Sequence, residues 1–445
     1  MNAPKHIGII GAGLVGTLLS IYLAKRGYRV SLFERRGDVR LKNSDEGRSI
    51  NLALSTRGIK ALSEVGLTSA VKDLAIPMHG RVMHDLSGKL SFLPYGKEGQ
   101  YINSVSRNGL NSILLDEAGK NGVGLFFHHR CISVNLNGTS ATFQTIDGNS
   151  TSQDFDMLVG ADGAFSVVRS AMQITDRYNY AQSYLEHGYK ELQIPAGANG
   201  EYLLEKHALH IWPRESFMMI ALPNPDATFT CTLFFPFEGD MSFASLSSDE
   251  KVVSFFRKVF PDAVGLMPEL LHDYKTNPTS SLVTIQCFPW IRNNTFLIGD
   301  AAHGIVPFYG QGMNAGFEDC RILNELLDRH RDQWTAALNE FQHLRKEDTD
   351  SIAQLAFDNF VEMRDLVADP EFLLRKKIEA RLHELYPEKW IPLYTMVTFR
   401  DDIRYSQAFH AGKKQSRIMD EIMMQPGIAA NWQDLNFREI VERLN

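Results

Sequence analysis

Three glycines constrain this chain more than any other feature. Gly11, Gly13 and Gly16 form a GxGxxG array directly after the apolar run 6–10 and directly before Leu14, Leu18, Ile21 and Tyr22, which recur at helical spacing. Gly27 ends that periodicity, and residues 28–34 read as a second strand finishing in an acid, Glu34. A lone glycine array is a weak signal; strand, turn, helix, strand and acid in this order predict a βαβ unit that holds a dinucleotide. The first glycine makes the tight turn, the second lets a pyrophosphate approach the backbone, and the third permits close helix–strand packing. The helix start, with Leu14 as its first residue, offers N–H groups and partial positive charge to the phosphates. Glu34 falls where an acid accepts hydrogen bonds from the adenosine ribose, worth about 1.5–3 kcal/mol each.

The remainder divides by pattern. Residues 82–93 alternate around Ser87-Gly88 and predict a hairpin. Residues 106–120 predict a helix, 123–143 two strands, and 156–160 another buried strand. Between about 178 and 288, β-branched and aromatic residues with polar turns predict a sheet of its own, with the clearest hairpin at 217–222 and 229–235. A strand at 295–300 leads through a Gly-rich turn to a helix from about Met313, and helical periodicity dominates beyond 330. The fold class is therefore α/β: a discontinuous Rossmann-like nucleotide-binding domain (1–75, 101–177 and 289–345), an inserted β-rich substrate-binding domain (76–100 and 178–288) and a helical C-terminal region (346–445).

Composition removes several function classes. At 44% hydrophobic and 22% charged residues the chain reads as an ordinary globular enzyme. A net charge of −7 with dispersed Lys and Arg leaves no basic stripe for nucleic acid. No apolar stretch approaches the roughly 20 residues of a membrane span, and residues 1–5 lead straight into a strand, leaving no room for a signal peptide. Cys131, Cys231, Cys287 and Cys320 lie far apart without metal-ligand spacing, so no metal is expected and a reducing cytoplasm suits them.

Two further segments narrow the dinucleotide. Asp156-Met157-Leu158-Val159-Gly160-Ala161-Asp162-Gly163, followed by Ser166 and Arg169, precedes Phe296-Leu297-Ile298-Gly299-Asp300-Ala301-Ala302-His303. Alone, Asp162 is a turn residue and Asp300 a helix N-cap. With the glycine array, in this order and spacing, they resemble the motifs of the flavoprotein aromatic hydroxylases. The resemblance implies FAD, with Asp300 near its ribityl chain, Asp162 serving both FAD and the nicotinamide nucleotide, and Arg107 near the flavin. It also implies that Gly312, Met313 and Asn314 open a helix beside the isoalloxazine. No second GxGxxG follows, which fits NADPH as a transient co-substrate; preference over NADH stays open.

Other segments resemble more narrowly the members of that family that hydroxylate L-kynurenine, an amino acid with an aminophenyl ketone side chain. They are Gly47-Arg48-Ser49-Ile50-Asn51-Leu52-Ala53-Leu54-Ser55, Pro94-Tyr95-Gly96, His210-Ile211-Trp212-Pro213-Arg214, residues 306–320, Asn359-Phe360-Val361-Glu362-Met363-Arg364 and residues 392–399. The similarity spans about residues 5–410. It implies that Arg81 and Tyr95 bind the substrate carboxylate, that Asn359 and Tyr394 add polar contacts, and that Leu209, Met218, Leu222, Thr232, Phe234, Pro307, Phe308 and Met363 line the ring site. Arginine suits the first task because its planar fork meets both carboxylate oxygens. Without the resemblance, Arg81 reads as a surface charge, Asn359 as a solvated helix residue and Met218, Leu222 and Phe234 as core. The contribution of Tyr309 stays open, a homodimer is left open, and His303, His128 and His129 receive no role. The implied reaction spends NADPH and O2 to make 3-hydroxykynurenine through a flavin C4a-hydroperoxide; a related hydroxylase acting on another aromatic ring is the alternative. Mitochondrial members carry an apolar C-terminal anchor, whereas residues 433–439 here are polar, so a cytoplasmic form without a membrane anchor is expected.

Overall fold

The computed structural model describes residues 5–41, 51–97, 99–362 and 369–444. Gly47 to Ile50, Met363 and Arg364, named above, lie outside these residues. The glycine array sits as its pattern predicts, between strand His6–Ile10 and helix Leu14–Lys25, with strand Arg29–Phe33 following. These strands belong to a six-stranded sheet in the order Ile291–Arg292, Thr295–Leu297, Met157–Gly160, His6–Ile10, Arg29–Phe33, Gly124–Phe126. Every pairing in it is parallel except the first. Both faces are covered, so the strands read as continuous apolar runs, with Ile7, Ile9, Leu158, Phe296 and Leu297 sealed from solvent.

Residues 123–143 depart from the two predicted strands. They form three, in two sheets: Gly124–Phe126 edges the parallel sheet, while Arg130–Asn135 and Ser140–Gln144 join Ser150–Asp154 in a separate three-stranded meander. His128, at φ +57, turns the backbone left-handed and breaks the run.

The larger sheet has seven strands in the order Ser280–Phe288, Asn179–Ile194, Phe229–Pro236, Phe217–Pro223, Ala208–Arg214, Gly80–His84, Leu90–Pro94. The predicted hairpins at 82–93 and 217–235 are both present in it. Residues 249–276, read from sequence as part of the β-rich stretch, are instead helical: Asp249–Val259, Pro261–Val264 and Leu270–Thr276. The Ser248 side chain caps Lys251 N–H, Asp249 and Glu250 complement the helix start, and Val252, Phe255, Phe256 and Val259 fall at helical spacing. Those four press onto one face of the sheet against Phe217, Met219, Leu233 and Phe235, each large side chain contributing about 1.5–3 kcal/mol of burial.

Strand alternation sends the intervening residues to the opposite face. Met218, Ile220, Phe234, Leu209 and Ile211 pack there with the turn Pro307–Tyr309 and helices Trp334–Val361, Leu393–Phe399 and Tyr405–Met423. The C-terminal helices thus roof the face that alternates with the core face. Among the described residues, no helix is long and apolar enough to cross a membrane.

Candidate active site

The residues expected at the nucleotide, Gly11, Glu34, Asp162 and Asp300, follow the carboxyl ends of four adjacent parallel strands, the region where open α/β sheets bind ligands. Gly11 takes φ +103, and a Cβ there would meet Ala161 O at 2.4 Å. A Cβ on Gly16 would stand 2.0 Å from Gly11 O, so helix and turn touch backbone to backbone. Gly13 is different: a Cβ on it meets nothing within 4 Å, which leaves room for a ligand. Gly13 is the N-cap of Leu14–Lys25; no side chain caps that helix and its first turn holds no acid, so its N–H groups suit an external anion. The Leu14 side chain lies in the core, so only its backbone N–H is left for a ligand.

Glu34 accepts from Ala12 N–H at 3.1 Å and, with its other oxygen, from Arg36 N–H and Nε, both at 3.1 Å. Asn111, one turn beyond Arg107, donates to Ala12 O at 3.1 Å and ties helix Arg107–Lys120 to the turn. Arg107 itself is exposed at that helix start. Asp162 accepts from Val167 N–H at 2.7 Å, while its other oxygen is buried without a partner. Burial raises its carboxyl above the ordinary range against the hydrogen bonds from Ser166 and Val167. Arg169 locks this loop to the next by donating to Ala164 O at 2.5 Å and Ala301 O at 2.9 Å. Asp300 begins Asp300–His303 and is exposed. Gly312 and Met313 open helix Gly312–Arg329, where Asn314 accepts from Ser55 N–H at 2.9 Å and donates to Ala53 O and Gly310 O, both at 2.8 Å.

On the roofed sheet face, Arg81 pairs in register with Leu209, Met218 with Phe234, and Ile220 with Thr232. Arg81 stands over two aromatic rings, 5.2 Å from the Tyr95 centroid and 4.8 Å from that of Tyr394. Tyr95 and Tyr394 stack at 5.6 Å, and Tyr309 continues the stack on Tyr394 at 5.5 Å. Burial lifts the Tyr95 and Tyr394 hydroxyls above their ordinary range, and the Arg81 charge pulls both back. Among the described residues Arg81 forms no ion pair, and its Nε is buried without a hydrogen-bond acceptor. A guanidinium in this state is complementary to an anion.

The apolar residues meet as well. Phe308 packs between Phe234, 4.9 Å away, and Phe360, 4.4 Å away. Leu222 groups with Tyr95, and Leu209, Ile220 and Tyr394 border both clusters. Pro307 is exposed at the start of its turn, and the Asn359 amide donates to Phe308 O at 2.7 Å. Ile211 and Ile220 were missed by sequence reasoning, although period-two alternation from Met218 and Leu222 marks Ile220. Tyr309 enters only through the stack.

A buried charge network, also absent from the sequence reading, lies under the site. Arg345, fully enclosed, donates to Asp319 at 2.7 Å, Glu318 at 2.7 Å and Ala315 O at 3.1 Å. His303 Nε2 lies 2.5 Å from the other Asp319 oxygen, which also accepts from Gly299 N–H at 3.2 Å. His303 therefore braces the loop that carries Asp300.

Comparison with known proteins places the chain in a family. A family model described as FAD binding domain matches residues 5–335. A kynurenine 3-monooxygenase of Cytophaga hutchinsonii is 49% identical over 432 residues, covering 96% of each chain. One from Candida albicans is 44% identical over 433 residues, covering 95% of this chain and 94% of its own. Among solved structures, the tetrameric form of 2-methyl-3-hydroxypyridine-5-carboxylic acid oxygenase matches with a TM-score of 0.67 at 19% identity, over 82% of this chain and 94% of that one. The last shows a shared flavoprotein hydroxylase fold; the near-full-length identities go further, and by them this chain belongs to the kynurenine 3-monooxygenase family.

Proposed function

We propose that this protein hydroxylates L-kynurenine to 3-hydroxykynurenine with FAD as cofactor and NADPH and O2 as co-substrates. The observation that carries the reading is Arg81, set over Tyr95 and Tyr394 at one end of an apolar sheet face, with no ion pair among the described residues and a buried Nε without an acceptor. It supplies the charge an α-amino acid carboxylate needs, and the adjoining wall suits an aminophenyl ring. Bound flavin supplies the redox chemistry, accepting a hydride from NADPH and activating O2 for transfer of one oxygen atom.

The chain's own residues hold and orient. The Gly11–Gly16 turn and helix start receive the pyrophosphate, and Glu34 the adenosine ribose. Arg107, Asp162, Asp300 and the Gly312-Met313-Asn314 segment border the flavin. Arg81 and Tyr95 grip the carboxylate, Tyr394 packs beside them, and Asn359 holds the Phe308 carbonyl that sets the ring wall. Leu209, Met218, Leu222, Thr232, Phe234, Pro307 and Phe308 flank the ring and exclude water. The amino group activates the ring toward attack at its ortho carbon, so no side-chain base is required. A cytoplasmic site of action belongs to the same proposal and is supported by four buried, unpaired cysteines.

Purified protein incubated with L-kynurenine, NADPH and air should release 3-hydroxykynurenine, identified by mass and chromatography. NADPH oxidation stimulated by 4-hydroxybenzoate and not by L-kynurenine would reject this substrate. Tyr394→Phe and Asn359→Ala should each raise the fraction of NADPH lost to H2O2 about two- to tenfold, the effect of one lost hydrogen bond. Unchanged coupling in both variants would remove the C-terminal helices from the site.

A further inference from the structure

Arg57 belongs to none of the groups assigned above, yet it joins them. It lies in helix Thr56–Glu64 and is 2% exposed. Its Nη1 donates to Glu318 at 2.6 Å, on the helix that Gly312, Met313 and Asn314 open. Its Nε donates to Val397 O at 2.9 Å, and Nη2 donates to Arg400 O at 3.0 Å and to Ile403 O. Val397 is one turn beyond Tyr394, so the guanidinium closes the C-terminal end of the short helix Leu393–Phe399. The same cation lies 4.1 Å from the Tyr405 ring centroid, and the Tyr405 hydroxyl donates to Gln311 at 2.8 Å, just before Gly312.

A second tie runs from the same segment. Ser55 N–H and Ala53 O both bond Asn314, and Asn314 also donates to Gly310 O, next to Tyr309 in the aromatic stack. The residues 53–57 therefore hold the turn that carries Tyr309 and, through Arg57, the helix that carries Tyr394. A seven-residue helix has little capacity to hold its own orientation. Its carbonyl end needs an outside donor, and here that donor is charged, planar and pinned to the flavin-side helix.

We infer that Arg57 is a positioning residue: it sets the placement of Tyr394 against the substrate head group by locking helix Leu393–Phe399 to helix Gly312–Arg329. The inference rests on the reading of Tyr394 as a substrate-site residue. Lysine in place of Arg57 retains a charge for Glu318 and lacks the fork that reaches several carbonyls at once.

The test is a double-mutant cycle on the flavin-loaded enzyme with Arg57→Lys, Tyr394→Ala and the pair, reading KM for L-kynurenine, kcat, H2O2 yield and bound FAD. Arg57→Lys should raise KM about tenfold, the effect of losing charge-assisted bonds, and raise H2O2 yield, with FAD content unchanged. In the Tyr394→Ala background the same change should add little, because its route to the substrate is already gone. Full additivity in KM, or a loss of FAD with no change in KM, overturns the inference while leaving the site reading intact. A silent Tyr394→Ala overturns the site reading, and this inference with it. If Arg57→Lys does not accumulate folded, Glu318→Gln, which loosens Arg57 from the other side, enters the same cycle with the same criteria. Failure of both to fold makes Arg57 a folding residue alone and overturns the inference.

Discussion

Arg81→Ala is expected to weaken L-kynurenine binding at least about a hundredfold, because stripping a buried charge of its partner costs about 3–5 kcal/mol and each 1.4 kcal/mol is a factor of ten. The geometry is what makes the effect large. Arg81 sits over the Tyr95 and Tyr394 rings, forms no ion pair among the described residues, and keeps Nε without an acceptor. A bound carboxylate would satisfy that nitrogen and offset the cost of enclosing the cation. Without the guanidinium, the carboxylate would enter the same aromatic surroundings with no positive charge to receive it. Arg81→Lys should recover part of the loss, since an ammonium supplies charge and not the two-pronged fit. Titration of flavin absorbance or fluorescence with L-kynurenine measures the change. Near-normal affinity in Arg81→Ala would place the carboxylate elsewhere.

Arg345→Ala is expected to lower the unfolding free energy by about 3–5 kcal/mol, the range for breaking a buried ion pair from one side. Arg345 is fully enclosed and serves Glu318, Asp319 and Asp348 together, so its removal leaves several acids facing one another. Urea unfolding followed by circular dichroism would report the loss; a change under about 1 kcal/mol, the range of a surface pair, would show that the network is not cooperative. The same cluster sets an acid limit. Burial would raise the Asp319 carboxyl, but His303 and Arg345 outweigh it and hold it below its ordinary value. A depressed carboxylate contributes stability above its unfolded value, near pH 3.9, and that stability is lost as pH falls through the folded value. Arg345→Ala removes a permanent positive charge beside Asp319, so its acid unfolding should begin at higher pH than in the parent protein. An unmoved acid midpoint would exclude Asp319 as a contributor.

The sequence by itself determined the elements whose logic is local. The glycine array, its flanking strands and Glu34 are contiguous in the chain, and the contacts that need glycine at 11 and 16 are made inside that unit or against the neighbouring strand. The hairpin of Phe217–Pro223 and Phe229–Pro236 is likewise local, two apolar and β-branched runs on either side of a polar Pro-Asn-Pro-Asp turn. Local pattern misled where composition resembled a strand: the aromatics at 255, 256 and 260 belong to the packing of helices, the first of which the Ser248 side chain caps. Only the tertiary structure brought Tyr95, Tyr309 and Tyr394 into one stack under Arg81, and only it enclosed Arg57 and Arg345 with their acids. Arg81 with Tyr394, Tyr95 with Tyr394 and Arg57 with Glu318 join residues hundreds of positions apart, and a charged or aromatic side chain taken singly does not announce such a partner. Periodicity reports which face an element buries; it carries no information about which distant face will meet it, and the chemistry of this site resides in that meeting.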